Sequence, residues 1–205
     1  MTGAAALGIF ASYLLGSIPA AYIAGKAKNV DLRKHGSGNL GATNVFRVLG
    51  WKIGLAVFVA DALKGALPVL YLPPRITSPR EPVVWAIACG IAAILGHVRP
   101  IFLGLRRGGK GVATAAGVFF ALAPIPMSIT FAVFVGVVFG TGYVSLGSLI
   151  SAVVLPSLLL LTLGPRTPLF VVSTVIALFV FWTHRANIAR LRRGEEHRFG
   201  KRNSA

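Results

Sequence analysis

The chain has 205 residues and a formal net charge of +16, yet 55% of its residues are hydrophobic and its mean hydropathy is +0.76. Soluble nucleic-acid binders are basic too, but they lack repeated apolar runs of bilayer length, so nucleic acid is excluded as a partner and an integral membrane protein is indicated. Five acidic residues (Asp31, Asp61, Glu81, Glu195, Glu196) stand against 21 Lys plus Arg, which excludes a carboxylate cage for a hard cation.

Seven apolar stretches predict an all-α protein of seven transmembrane helices in one polytopic domain spanning residues 1–205. They cover approximately residues 3–24, 53–72, 83–95, 112–123, 125–139, 146–163 and 169–182. No Lys or Arg precedes the first run, so it reads as a span rather than a cleaved leader. Several runs are shorter than the roughly 20 residues of a perpendicular span. Either flanking glycines extend them, or the junction between the third and fourth re-enters the membrane. Cys89, the single cysteine, lies inside an apolar run, rules out an intrachain disulfide and reads as structural.

Loop charge orients the bundle. Lys26, Lys28, Arg33, Lys34, Arg47 and Lys52 follow the first run, and Arg99, Arg106, Arg107 and Lys110 follow the third. The tail adds Arg185, Arg190, Arg192, Arg193, Arg198, Lys201 and Arg202, against Arg75, Arg80 and Arg166 on the other side. This bias predicts a cytoplasmic basic face, an external N-terminus and a cytoplasmic C-terminus.

Two glycine-rich connections lie on that face. Gly36, Gly38 and Gly41 fit G-x-G-x-x-G, with Asp61 twenty residues beyond Gly41, but no strand precedes them and no βαβ unit surrounds them. Gly104, Gly109 and Lys110 approach a P-loop, except that Gly111 stands where Ser or Thr would hold magnesium. Both nucleotide readings fail, while their physical content remains: backbone N–H groups in glycine turns at helix starts form anion-binding nests. Ser37, Gly38, Asn39, Thr43, Asn44 and Arg47 surround the first loop, and Gly108, Gly109, Lys110 and Gly111 make the second. The competing reading is that these glycines only permit tight turns and close helix packing.

Taken in order, GSGNLGATNVFR (36–47), GH(x)2P (96–100), GGKGVAT (108–114), YVSLGS (143–148) and HRANIARLRRGEEHRF (184–199) resemble the bacterial acyl-phosphate:glycerol-3-phosphate acyltransferase family. The resemblance covers essentially the whole chain. One departure is an extra residue before Gly108, where Arg106 and Arg107 stand instead of a single basic residue. The resemblance implies a seven-helix bacterial inner-membrane enzyme with a cytoplasmic site. It moves an acyl group from acyl phosphate to the 1-hydroxyl of glycerol 3-phosphate, leaving lysophosphatidic acid and inorganic phosphate, with no cofactor, metal or coenzyme A.

An acyl phosphate arrives activated, so the enzyme must place a hydroxyl at the acyl carbon, remove its proton and stabilise departing phosphate. Lys110 and Arg47 are the expected phosphate clamps, with Ser37, Asn39, Thr43 and Asn44 as neutral donors. Ser145, with Ser148, is expected to contribute from the sixth span. His184 and Asn187, three residues apart, share a helix face; His184 is the expected general base, with substrate phosphate as the other candidate, and Asn187 orients the acceptor. His97 reads as a helix-end residue satisfied by backbone carbonyls. Asp61 and Lys64 read as an intramembrane pair or a phosphate-side contact, and Glu196 and Arg198, which match the family's tail, as a lock on the first loop. A phosphate-ester transporter shares the basic loops but commonly has internal repeats and a midplane site. A lipid-binding scaffold explains the charge but not the glycine-and-amide motif.

Overall fold

A computed structural model describes residues 3–72 and 82–199. Arg75, Arg80, Glu81, Lys201 and Arg202 therefore lie outside the described residues. The described chain is all helical: α1 (Gly3–Gly16), α2 (Ala20–Ala27), α3 (Ala42–Leu49), α4 (Trp51–Tyr71), α5 (Pro82–Val98), α6 (Val112–Leu122), α7 (Pro124–Thr141), α8 (Val144–Leu163), α9 (Pro168–Thr183) and α10 (Arg185–Arg192). A single 3-10 turn, Ile101–Leu103, follows α5.

Each predicted apolar stretch is helical. The first is not continuous, because Pro19 has no N–H to extend the ladder and the chain opens at 17–19 before α2 begins. Among the described residues, five segments are long and apolar enough to cross a membrane: Gly3–Ala27, Trp51–Tyr71, Val83–Leu103, Pro124–Thr141 and Val144–Leu163. A sixth is the pair α9–α10, if the two helices, bent by 59°, count as one span, and α6 is shorter. Large apolar side chains face outward, with Phe139 82% and Leu161 81% exposed, while Asp61, Lys64, His97 and Asn44 are buried. That inversion suits lipid outside and a polar interior.

The chain divides into two compact units at Pro124/Ile125. In the first, α4 packs on α6, α3 and α5, and α1 packs on α5. The α4–α6 contact is a backbone approach: a methyl on Gly65 would strike the Thr114 carbonyl, and one on Gly117 the Ala62 carbonyl. Small residues that let helix backbones meet are a common membrane solution, since lipid supplies no hydrophobic drive between helices. Ala21, Leu32, Leu40, Val45 and Val57 form an apolar core beneath the first glycine loop. In the second unit α8 packs on α9, and Gly147 of α8 admits the side chains of Phe134 and Val138 from α7. Thr167 caps α9, accepting from the Phe170 N–H at 3.4 Å, with Pro168 at the first helical position.

Candidate functional site

The first glycine loop is organised from within by Asn44, whose side chain is fully buried. Its Oδ1 accepts the Ser37 N–H at 2.8 Å, and its Nδ2 donates to the Leu32 and His35 carbonyls, each at 3.1 Å. Gly36 (φ +60) and Gly38 (φ +69) take the left-handed turns this wrap requires. Asn44 was expected to donate to an anion; both its amide hydrogens are instead engaged by loop carbonyls. Gly38 N–H likewise donates to the His35 carbonyl at 3.1 Å. The exposed groups at this loop are Ser37 and Arg47, with Asn39 and Thr43 half-buried.

The second loop begins where α5 ends at His97 and Val98. Gly104 (φ +63) and Leu105 (φ +58) are consecutive left-handed residues, and Arg106 and Arg107 are exposed on the same surface turn. Gly108 then returns to the helix end, donating to the Val98 carbonyl at 2.9 Å. Lys110 is half-buried, and Gly111 (φ +81) caps α6. A methyl on Gly109 would strike His97 Nε2 and the Leu40 carbonyl. At that point the two glycine loops, far apart in sequence, touch.

Behind them lies a buried ionic cluster. Lys64 Nζ sits 2.8 Å from Asp61 Oδ1 and donates to the Ile18 carbonyl, also at 2.8 Å, in the opening between α1 and α2. The Asp61–Lys64 contact is close but poorly aligned as a hydrogen bond, so charge attraction dominates it. His97 Nδ1 lies 3.5 Å from the same oxygen. The expected Asp61–Lys64 pair is present, whereas His97 faces that carboxylate instead of a backbone carbonyl. A small pocket, partly open to the exterior, is lined by Asp61, Lys64, His97, Gly108 and Gly109 among others.

In the second unit, Glu196 gathers the tail. Its Oε1 accepts from Asn187 Nδ2 at 2.8 Å and Ser145 Oγ at 3.1 Å, and its Oε2 from Arg190 Nε at 2.7 Å. Burial pushes the Glu196 carboxyl upward, but the Arg190 and Asn187 hydrogen bonds, the Arg190 charge and the Ser145 hydroxyl outweigh it and hold the group below its ordinary range. Arg198 Nε donates to the Tyr143 hydroxyl at 3.0 Å with its guanidinium 5.1 Å from the ring centroid, and Phe199 N–H donates to the Gly142 carbonyl at 2.6 Å. Within the second unit, these tail bonds run to the start of α8 and to α10. Ser145 is engaged by Glu196, and Ser148 by the Val144 carbonyl at 3.0 Å.

His184 is the N-cap of α10, its carbonyl accepting the Ile188 N–H at 2.9 Å, and Asn187 lies in that helix's first turn. α9 ends at Thr183, His184 both closes α9 and opens α10, and the two helices are bent by 59°. Both side chains are buried. His184 Nδ1 lies 2.8 Å from the Val180 carbonyl, which can only accept, so Nδ1 carries a proton. Among the described residues no three His, Cys, Asp or Glu side chains group as metal ligands. The contacts that sequence reasoning missed, His97–Asp61 and Ser145–Glu196, join distant segments and leave no local pattern.

The profile of the glycerol-3-phosphate acyltransferase family matches residues 6–194. Glycerol-3-phosphate acyltransferase of Geobacter sulfurreducens is 48% identical over 92% of this chain and 94% of its own length. That of Geobacter metallireducens is 50% identical over 92% and 94%. The crystal structure of PlsY (YgiH), an integral membrane glycerol 3-phosphate acyltransferase in its glycerol 3-phosphate form, superposes with a TM-score of 0.88 at 40% identity, covering 97% of this chain and 96% of that one. Its lysophosphatidic acid form gives 0.85 at the same identity and coverage. With a profile match running through both compact units, and relatives alike along nearly their whole length, this multi-pass membrane chain belongs to the glycerol-3-phosphate acyltransferase family.

Proposed function

We propose that this glycerol-3-phosphate acyltransferase takes its acyl group from acyl phosphate and delivers it to the 1-hydroxyl of glycerol 3-phosphate. The products are lysophosphatidic acid and inorganic phosphate. The observation that carries this reading is the meeting of the two glycine loops at Gly109, beside Lys110: a small, cationic, backbone-lined place suited to phosphate. The glycerol 3-phosphate and lysophosphatidic acid forms of PlsY support the acceptor and the product.

In the reaction the acceptor oxygen bonds to the acyl carbon, the anhydride C–O bond breaks, and phosphate leaves with the bonding pair. Lys110 and Arg47 hold phosphate, Lys as a compact charge and Arg through its planar fork, with Ser37, Asn39 and Thr43 as neutral donors. His184, with its proton on Nδ1, presents the Nε2 lone pair as the base for the hydroxyl proton, while substrate phosphate is the competing acceptor. Asn187, held by Glu196, orients the acceptor. The whole chain acts as one polytopic domain in the bacterial inner membrane. It has seven spans, an external N-terminus, a cytoplasmic C-terminus and cytoplasm-facing chemistry, and the acyl tail stays in the bilayer.

The test is purified protein with acyl phosphate and labelled glycerol 3-phosphate, without coenzyme A. Lysophosphatidic acid and inorganic phosphate should appear in equal amounts. Efficient transfer from acyl-coenzyme A, with none from acyl phosphate, would overturn the donor assignment. For topology, in a Cys89→Ala background, Lys34→Cys should be labelled only from the cytoplasm and Arg166→Cys only from outside. Labelling of both from one side would overturn the seven-span arrangement.

A further inference from the structure

We propose that His97 is a positioning residue for the phosphate site, the visible end of a buried brace formed with Asp61 and Lys64. This rests on reading the glycine loops as that site.

The brace starts in the opening between α1 and α2, where Lys64 Nζ takes the Ile18 carbonyl at 2.8 Å. The same ammonium is 2.8 Å from Asp61 Oδ1, and His97 Nδ1 is 3.5 Å from that oxygen. Lys64 is 7%, Asp61 1% and His97 6% exposed, so water does little to loosen the arrangement. His97 Nδ1 faces the carboxylate at 3.5 Å, longer than a well-formed hydrogen bond, and close burial beside it holds the ring with Nε2 toward Gly109. There Nε2 and the Leu40 carbonyl bracket the Gly109 Cα so closely that no methyl fits. His97's own carbonyl closes on Gly108 in the same way. The imidazole thereby sets how near the second loop, and Lys110 directly after it, lies to the first. No substrate contact is required of His97.

The experiment measures inorganic phosphate binding by calorimetry on the purified protein in detergent, together with KM, kcat and thermal midpoint. His97→Asn keeps a donor toward Asp61 but leaves nothing at the Nε2 position; His97→Gln places an amide near Nε2. His97→Asn should weaken phosphate binding roughly ten- to a hundredfold, the scale seen when outer partners of metal ligands are removed. KM should rise with it, kcat should change much less, and His97→Gln should restore most of the affinity. Equal affinity in wild type and His97→Asn would overturn the proposal, as would equal losses in the Asn and Gln variants. Should His97→Asn fail to fold, Gly109→Ala probes the contact from the other side, and unchanged phosphate binding there would also overturn it. A wild-type protein that binds phosphate but makes no lysophosphatidic acid from acyl phosphate defeats the proposed donor and leaves the brace standing. Turnover without measurable phosphate binding defeats the brace alone.

Discussion

Asn187 Nδ2 donates to Glu196 Oε1 across 2.8 Å, with both side chains buried. The carboxylate also takes Ser145 and Arg190, so three donors from two helices converge on one tail residue. Glutamine at this position keeps the shape but turns an NH2 toward a donor. Glu196→Gln should therefore lower the thermal midpoint and reduce activity together, whereas Glu195→Gln, at an exposed pair with Arg193, should do neither. Thermal melts and turnover on the two variants decide it.

The same carboxylate imposes a pH dependence. Its folded pKa is depressed, so its stabilisation is complete above the ordinary value of 4.5 and is lost as pH falls through the lower folded value. The thermal midpoint should drop on acidification below 4.5, and Glu196→Gln should flatten that drop. Parallel melts across this range provide the comparison.

Lys110→Ala should reduce turnover about a hundredfold or more, as loss of one preorganised electrostatic donor does. Lys110→Arg should also be poor, because a planar fork does not replace a compact charge in a tight glycine turn. Arg193→Ala should be nearly silent. Steady-state kinetics on all three separate a phosphate clamp from a topology anchor, which would give small, equal effects at both positions.

His184→Ala should cost roughly a hundred- to ten-thousandfold in rate if the imidazole accepts the acceptor's proton. His184→Gln tells the two candidate bases apart. An inactive Gln variant identifies the ring as base; one that keeps much of the activity hands that role to substrate phosphate. Asn187→Ala should chiefly raise the KM for glycerol 3-phosphate.

Asn44→Ala leaves the Ser37 N–H and two carbonyls unanswered, and should lower stability by about 1–3 kcal/mol for each unmet buried group, less whatever water recovers. Asn44→Asp should be worse than Ala, since an ionised carboxylate would face the Leu32 and His35 carbonyls without donating to either. Denaturation in detergent ranks the two.

Much of the fold is legible in the sequence because lipid imposes a length and a hydropathy on each span, and both are local properties. The apolar stretches therefore fall on helices. The break at Pro19, the short α3 and the bend at His184 were missed, since each is a local departure inside or beside an apolar or basic segment. The glycine loops were legible as turns suited to phosphate, but the engagement of Asn44 was not, because its partners Leu32 and His35 are chosen by the wrap of the chain. Likewise the spacing of Asp61 and Lys64 gave away their pairing, while His97 came to them from another helix. Glu196 was recognised as a lock, yet its donors Ser145, Asn187 and Arg190 were not, for a carboxylate's sequence position says nothing about which donors will reach it.

The Lys64–Ile18 contact also bears on how the protein is made. An ammonium inside a bilayer is tolerable only once partners surround it. Ile18 leaves the ribosome first, Asp61 and Lys64 follow within one turn of each other, and His97 comes last. The chain thus delivers an acceptor carbonyl and a counter-ion before or alongside the cation, so Lys64 can enter the membrane already matched. Moving the first segment to the C-terminus would reverse that order and leave the lysine waiting in lipid with Asp61 alone.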